Sequence, residues 1–589
     1  MKGSWAIVGL FLNTVMCGRE IPWFIYLCVF KRFPKPIAFL LVFCALPYLD
    51  SAKLLWAILR AEIPFSARSI SWRLVPFLMF TALLGLGFPE ADAQSTTPLH
   101  APIAETIDID THAAAHDFPH FWEKMFGSGR AILTLRESYR NDLRAVKAIT
   151  GCEYVRFHAI FHDETGIYDE DERGNPIYNF SYIDQIYDGL LGNRVRPVVE
   201  ISFMPKKLSS DPAAVHPFWY KQNVAPPKNW DKWDQLIRAF GQHLVQRYGE
   251  GEVSQWYFEV WNEPNIDFWA GTPKQSTYFE LYDHTARTLK SVNPKLRVGG
   301  PATAAADWVD AFLAHVKQAN VPVDFLSTHG YADDTVENLF HTTERIQFDQ
   351  RVCRAVQKVH TEIARSSLPN LPLLWTEWNV PSFGKLHARD TTYVGAALAD
   401  DIRQCDGLVD MMSFWTFSDV FEENGPKKEP FDGGFGLIAM GGIKKPSYVA
   451  FGLLHNLGIQ RLDMPATDIL VTRRQNGTLV IAAWNLVDPD QQGSDKLLHL
   501  KFRGVVQDAR VSIQYADGQH GNTLAAYENI GSPRYPTPSQ IQEINRAANL
   551  PKPMSTQLKN GSLDLNLTPN ALVLIELRVG VSSEASTMD

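Results

Sequence analysis

The chain has 589 residues, 45% hydrophobic and 21% charged, with net charge −9, enough for a large catalytic domain and a second domain. Nothing basic points to nucleic acid, and no HExxH, paired CxxC, phosphate loop or dinucleotide fingerprint occurs, so no cofactor and no metal is implied. Aromatic content is 12%, with 16 Trp, which suits stacking faces for sugars and equally the packing of large domains.

Residues 1–93 form a hydrophobic leader unlike the rest. Its apolar runs, Trp5 to Leu12, Pro22 to Phe30, Pro36 to Leu49 and Leu74 to Phe88, are each shorter than the roughly 18 to 20 residues of a clean membrane span. The last run follows Arg68 and Arg73, with no acid between Ile63 and Arg73, and leads to Ala91-Asp92-Ala93, an A-x-A cleavage pattern. Residues 67–93 therefore read as a secretory signal peptide, with a mature, exported protein (periplasmic or extracellular) starting near Gln94. A signal this deep in the chain leaves two explanations open: a true start codon downstream of Met1, or a retained membrane-associated leader, the one route to membrane contact.

Residues 94–458 carry the pattern of an α/β fold, a (β/α)8 TIM barrel: apolar runs that end on polar residues and alternate with helical segments. After a polar stretch, Thr106 to Asp110 alternates like a strand. Barrel strand one is predicted near Phe126, with a helix over Tyr139 to Thr150. Strand two, Tyr154 to His158, puts Arg156 and His158 on one face. Strand three, Arg196 to Met204, opens a long loop from Pro205 to Trp230, where Trp219 and Tyr220 either wall a cleft or pack a Pro-rich insertion. A helix over Trp230 to Tyr248 leads to strand four, Val253 to Trp261, which breaks at Asn262-Glu263-Pro264. Strands five and six are Leu296 to Pro301 and Val323 to Tyr331, the latter with His329 and Tyr331 on one face. Strand seven, Leu371 to Asn379, delivers Glu377, and strand eight, Met411 to Asp419, carries Trp415 and runs to Phe421-Glu422-Glu423. A helix over Pro446 to Leu457 closes the barrel.

Glu263 and Glu377 are 114 residues apart, three strand-plus-helix repeats of about 38 residues. Strands four and seven face each other across the barrel mouth, so the two carboxyls can flank one bond, as retaining glycoside hydrolysis requires at about 5 to 5.5 Å. Taken singly, Asn-Glu-Pro is equally a turn with a surface glutamate. The run Arg247-Tyr-Gly-Glu-Gly-Glu-Val-Ser-Gln-Trp-Tyr-Phe-Glu-Val-Trp-Asn-Glu-Pro-Asn-Ile-Asp-Phe-Trp269, with Thr376-Glu-Trp-Asn379, resembles glycoside hydrolase family 39. It is closer to that family's β-xylosidases than to its α-L-iduronidases, which usually have Asp after Asn-Glu-Pro and lack a Thr-Glu-aromatic-Asn motif. The likeness runs from about residue 100 to about residue 580.

The resemblance implies Glu263 as acid/base and Glu377 as nucleophile. It also implies that Arg156 holds the nucleophile (a core Arg paired elsewhere is the alternative), that His158 and Asn262 meet sugar hydroxyls, that Tyr331 orients Glu377 beside His329, and that Trp415 lies under the sugar. Glu422 and Glu423 are either hydroxyl-binding or simply solvated. The implied activity is a β-xylosidase releasing xylose from xylo-oligosaccharides, the substrate partner being an oligo- or polysaccharide. The same chemistry on a β-glucoside, exopolysaccharide or uronide, or a non-catalytic glycan-binding barrel, are the alternatives. Residues 459–580, with hairpin signals such as Asn476-Gly477, are predicted as a C-terminal β-sandwich, joined by the strand near Thr106 as in the resembling family, and residues 581–589 as a tail. Outside the leader stand Cys152, Cys353 and Cys405, read as buried structural thiols.

Overall fold

The computed structural model describes residues 103–578 and, as backbone only, strands Trp5–Met16, Arg19–Phe30 and Ile37–Cys44, which pair antiparallel in a sheet of their own. The expected signal peptide at 67–93 and the tail at 581–589 lie outside the described residues. Among the described residues, no helix is long and apolar enough to cross a membrane.

Eight parallel strands close into a barrel: β1 Met125–Gly127, β2 Tyr154–Phe157, β3 Arg196–Ile201, β4 Tyr257–Val260, β5 Arg297–Thr303, β6 Phe325–His329, β7 Leu373–Trp378 and β8 Met411–Phe414. Helices outside the ring follow ordinary amphipathic logic. In Trp230–Tyr248 the buried Trp233, Leu236, Ile237, Phe240 and Leu244 recur at helical spacing, and the Asn229 side chain caps the start by accepting from Lys232 N–H.

The strand period of two builds the interior in layers. Met125, Tyr154, Val198, Phe325, Leu374 and Met411 form an apolar plug with Tyr257 packed on it. Two residues further along β2, β3, β4 and β7 stand Arg156, Glu200, Glu259 and Thr376, all buried. A polar layer thus rests on the plug, directly beneath the C-terminal ends of the strands.

The accessory domain is a sandwich of a seven-stranded and a three-stranded sheet that takes strands from both ends of the described chain. Ile103–Asp110 runs parallel to Lys496–Arg503, and Ala115–Asp117 pairs with Gln460–Leu462. In Leu479–Trp484 every residue is buried, because alternate side chains serve different cores: Leu479, Ile481 and Ala483 pack inside the sandwich, Val480, Ala482 and Trp484 against the barrel. Two helices, Thr523–Asn529 and Pro538–Ala547, interrupt this otherwise β region.

Several boundaries differ from the expectation. Val253, expected to start strand four, instead ends a helical turn, Glu250–Val253, that follows Gly249, and β4 begins at Tyr257. Strand eight stops at Phe414 rather than Asp419. Cys353 and Cys405 are not free thiols: they form a disulfide between the facing helices Phe348–Arg365 and Tyr393–Cys405, leaving Cys152 as a buried free cysteine.

Candidate active site

At the C-terminal end of the barrel, a cavity of about 330 Å³ is lined by His158, Asn262, Glu263, Tyr331, Glu377, Trp415 and Glu423, with Phe218, Phe268, Asp333, Asp334, Arg389 and Phe435 also on its wall. The chain turns sharply where β4 delivers its carboxylate. Trp261 has φ 71° and Glu263 φ 43°, left-handed values that cost non-glycine residues energy and cluster at functional sites. The Glu263 N–H donates to Ala302 O at 2.8 Å, fixing that turn against β5.

Glu263 and Glu377 each place a carboxyl oxygen, with a His329 ring nitrogen, in a group whose atoms all lie within 4.8 Å of one another. Oxygens this near to one another suit the short spacing of a retaining pair rather than the wider gap of an inverting one. Their neighbours differ in kind. Glu377 Oε1 accepts from Arg156 Nη1 at 2.7 Å and Oε2 from the Tyr331 hydroxyl at 2.6 Å, with His158 Nε2 3.7 Å from Oε1. Glu263 has His329 Nδ1 3.0 Å from its Oε1 and no cation in contact.

The electrostatics follow from these neighbours. Burial pushes Glu263 well above the usual carboxylate range, and the charges of Glu377 and Asp334 push the same way. Burial also raises Glu377, but Arg156, His158 and the Tyr331 hydroxyl oppose it. The pair therefore shares one proton, and Glu263 keeps it. Burial works against charge on His158, yet Glu200, Glu423 and Glu377 bring it up to about 10, an imidazolium at neutral pH. His329 goes the other way: burial and the cations Arg156 and His158 hold it well below the ordinary histidine value, so it is neutral.

Arg156 is the hub of the buried layer. Besides Glu377 it donates to Glu259 at 2.5 Å and to Asn262 Oδ1 at 3.0 Å, and it is ion-paired with Glu200 at 2.7 Å. Because Asn262 spends its oxygen on Arg156, its amide N–H groups are what it presents to the cavity. Glu200 also holds His158 Nδ1 at 2.6 Å, and Thr376 donates to Glu259 at 2.7 Å. Trp415 forms part of the floor, its indole so close to β1 that a Cβ at Gly127 would run into it.

The structure brings together all the predicted site residues except Glu422. Arg130 and Arg136 hold Glu422 at 3.1 and 2.5 Å, and it does not line the cavity. Its neighbour Glu423 does, 3.6 Å from His158 Nε2. From the long loop, Phe218 lines the cavity, whereas Tyr220 is buried beneath the Arg130 guanidinium and Trp219 is 61% exposed. The reading of the sequence missed Glu200 and Glu259, although an acid inside an apolar barrel strand was visible in both. It also missed Asp333, Asp334 and Arg389, which come from turns after β6 and β7 without any local signal.

The model of glycosyl hydrolases family 39 matches residues 105–561. A β-xylosidase of Geobacillus stearothermophilus is 37% identical over 486 residues, covering 80% of this chain and 95% of that protein. One from Caldicellulosiruptor saccharolyticus is 34% identical, covering 78% and 96%. Among solved structures, a family 39 β-xylosidase from Caulobacter crescentus superposes with TM-score 0.70 at 35% identity, covering 80% of this chain and all of that one. With a closed eight-stranded barrel, two glutamates at the ends of β4 and β7 and these relatives, the chain belongs to glycosyl hydrolase family 39.

Proposed function

We propose that this protein is an exported, retaining β-xylosidase that removes xylose from the ends of xylo-oligosaccharides. The observation that carries the reading is the unequal environment of the two glutamates: one cation-bound and hydrogen-bonded, the other apart from cations and protonated. Glu377 attacks the anomeric carbon as the bond from that carbon to the leaving oxygen breaks, and Glu263 gives its proton to that oxygen. A glycosyl ester on Glu377 results. Glu263, now a carboxylate, takes a proton from water, which attacks the same carbon and releases Glu377, so configuration is retained. Arg156 and the His158 imidazolium favour the departing carboxylate in that second step.

Xylose as the sugar is supported by the β-xylosidases among the relatives and by the character of the cavity. At about 330 Å³ it lies at the small end of ligand sites, which suits a chain end. Asp333, Asp334 and Glu423 share its wall with the catalytic pair, and the cations there are already answered, Arg389 by Asp333 and His158 by Glu200, a lining that disfavours a uronide. Export is supported by the A-x-A pattern at Ala91-Asp92-Ala93 and by the Cys353–Cys405 disulfide, a bond that persists in oxidising compartments.

The test is hydrolysis of nitrophenyl β-xyloside, β-glucoside, α-arabinoside and α-iduronide by the chain from Gln94, with Glu377→Ala as blank. Preference for the β-xyloside, absent in the blank, is expected; a preferred uronide would overturn the choice of sugar. N-terminal sequencing of the exported protein should begin near Gln94.

A further inference from the structure

A second cluster of chemistry-bearing side chains lies at the far end of the barrel from the cleft. His120 and Glu123 belong to the segment that enters β1 at its N-terminal end, and His455 follows the last barrel helix, Pro446–Leu454. Glu123 is 1% exposed. Its Oε1 lies 2.8 Å from His120 Nδ1 and 2.9 Å from His455 Nδ1, which is also 2.9 Å from Oε2. The three donor atoms all fall within 4.8 Å of one another.

The outer nitrogen of His120 makes the arrangement more than an ion pair. Nε2 faces the carbonyl of Gly458 at 3.3 Å, a contact only an N–H can make, so in the neutral ring the lone pair is on Nδ1 and points inward at a carboxylate oxygen. Two acceptors do not face each other across 2.8 Å without a proton or a cation between them. An imidazole whose outer N–H is fixed by a backbone carbonyl is the usual supporting arrangement of a metal-bound histidine. The His120 ring is further fixed by stacking on Trp122, with centroids 4.5 Å apart. His455 is half-exposed, giving an entry path.

We propose that His120, Glu123 and His455 bind a divalent transition metal of the Zn²⁺ type, tying the chain's entry into the barrel to its exit. Two imidazoles and one carboxylate suit zinc and its neighbours, not Mg²⁺ or Ca²⁺, which take oxygen ligands. The site touches none of the catalytic side chains, so it acts on closure of the barrel rather than on the reaction.

The experiment is titration of the chelator-stripped enzyme with Co²⁺ and Zn²⁺, followed by the visible absorption of tetrahedral Co²⁺ and by calorimetry, with Mg²⁺ and Ca²⁺ as controls. One equivalent of Zn²⁺ should bind and raise the unfolding temperature. His455→Ala, and separately His120→Ala, should weaken binding by at least about tenfold and abolish the thermal shift while hydrolysis by the stripped enzyme continues. Glu377→Ala should keep the binding, which separates this cluster from Glu263, His329 and Glu377 in the cleft. Overturning results are no Co²⁺ spectrum in the parent enzyme, which leaves a hydrogen-bonded triad, or a spectrum and thermal shift that survive in His455→Ala.

Discussion

Tyr331→Phe isolates one atom of the support of Glu377, the proposed nucleophile. The Tyr331 hydroxyl donates to Glu377 Oε2 at 2.6 Å inside a buried site, and burial holds the phenol well above its usual range, so it remains a donor at every working pH. A hydrogen bond to a charged group contributes roughly 1.5–3 kcal/mol, which at 1.36 kcal/mol per unit is about one to two pKa units. The bond favours the carboxylate, so its loss raises Glu377 further. Activity requires Glu377 ionised while Glu263 is protonated, so the acid limb of kcat/KM reports the first proton lost by the pair. In Tyr331→Phe that limb should move up by about one to two units, and below it the rate should fall about 10- to 100-fold. The assay is a pH profile on an aryl β-xyloside whose leaving group needs no proton, which keeps Glu263 out of the measurement. An acid limb that stays in place while the protein remains folded would refute the claim that Tyr331 holds the ionised form of Glu377.

Glu377→Ala should abolish turnover, and added azide or formate should restore it with inverted product; the anomer of the product, read by NMR, decides the point. Glu263→Ala should lose activity on xylobiose while sparing activated aryl xylosides, and an equal loss on both would contradict the acid/base role. Glu200→Gln removes one of the carboxylates that keep His158 charged, so the His158 titration, followed with ¹⁵N-labelled histidine, should fall below its value in the parent. Reducing the Cys353–Cys405 disulfide, which spans 52 residues, should lower stability by about 4 kcal/mol on the loop-closure estimate; a urea midpoint indifferent to reductant would count against that.

What could be read from the chain was what the chain states locally. The barrel strands are apolar runs cut off by Pro, Gly or a polar pair, and helix Trp230–Tyr248 carries its cap and its apolar face within 20 residues of sequence. Overreading came where an apolar run outlasted the ladder: Trp415 follows β8 as an aromatic, yet it is the cavity floor rather than strand. Partners distant in sequence were beyond such local reading. Arg156 meets Glu377 across 221 residues, a contact the family resemblance alone implied, whereas its contact with Glu259 across 103 residues had no signal, and Cys353 meets Cys405 only because two helices pack side by side. Glu422 and Glu423 show the same limit at close range, since outside a strand no alternation rule says which of two neighbours faces the cavity.

The buried layer under the cleft explains how two copies of one residue type come to do opposite work. Arg156 stands on β2 with two buried carboxylates in reach, Glu200 on the adjacent β3 and Glu259 on β4 beyond it, so its charge is largely answered before Glu377 is counted. A cation that is already paired costs less to bury, and it can remain in the barrel whether Glu377 is free or esterified. His158 works alike, held by Glu200 from below and meeting Glu423 and Glu377 above. In the proposed reaction Glu377 therefore departs toward cations that need no rearrangement, the preorganised field that catalysis of charge development requires. Glu263 has neutral His329 in contact and no cation, and burial with the charges of Glu377 and Asp334 outweighs the pull of His158 and Arg156, the balance that suits it to the proposed proton donation.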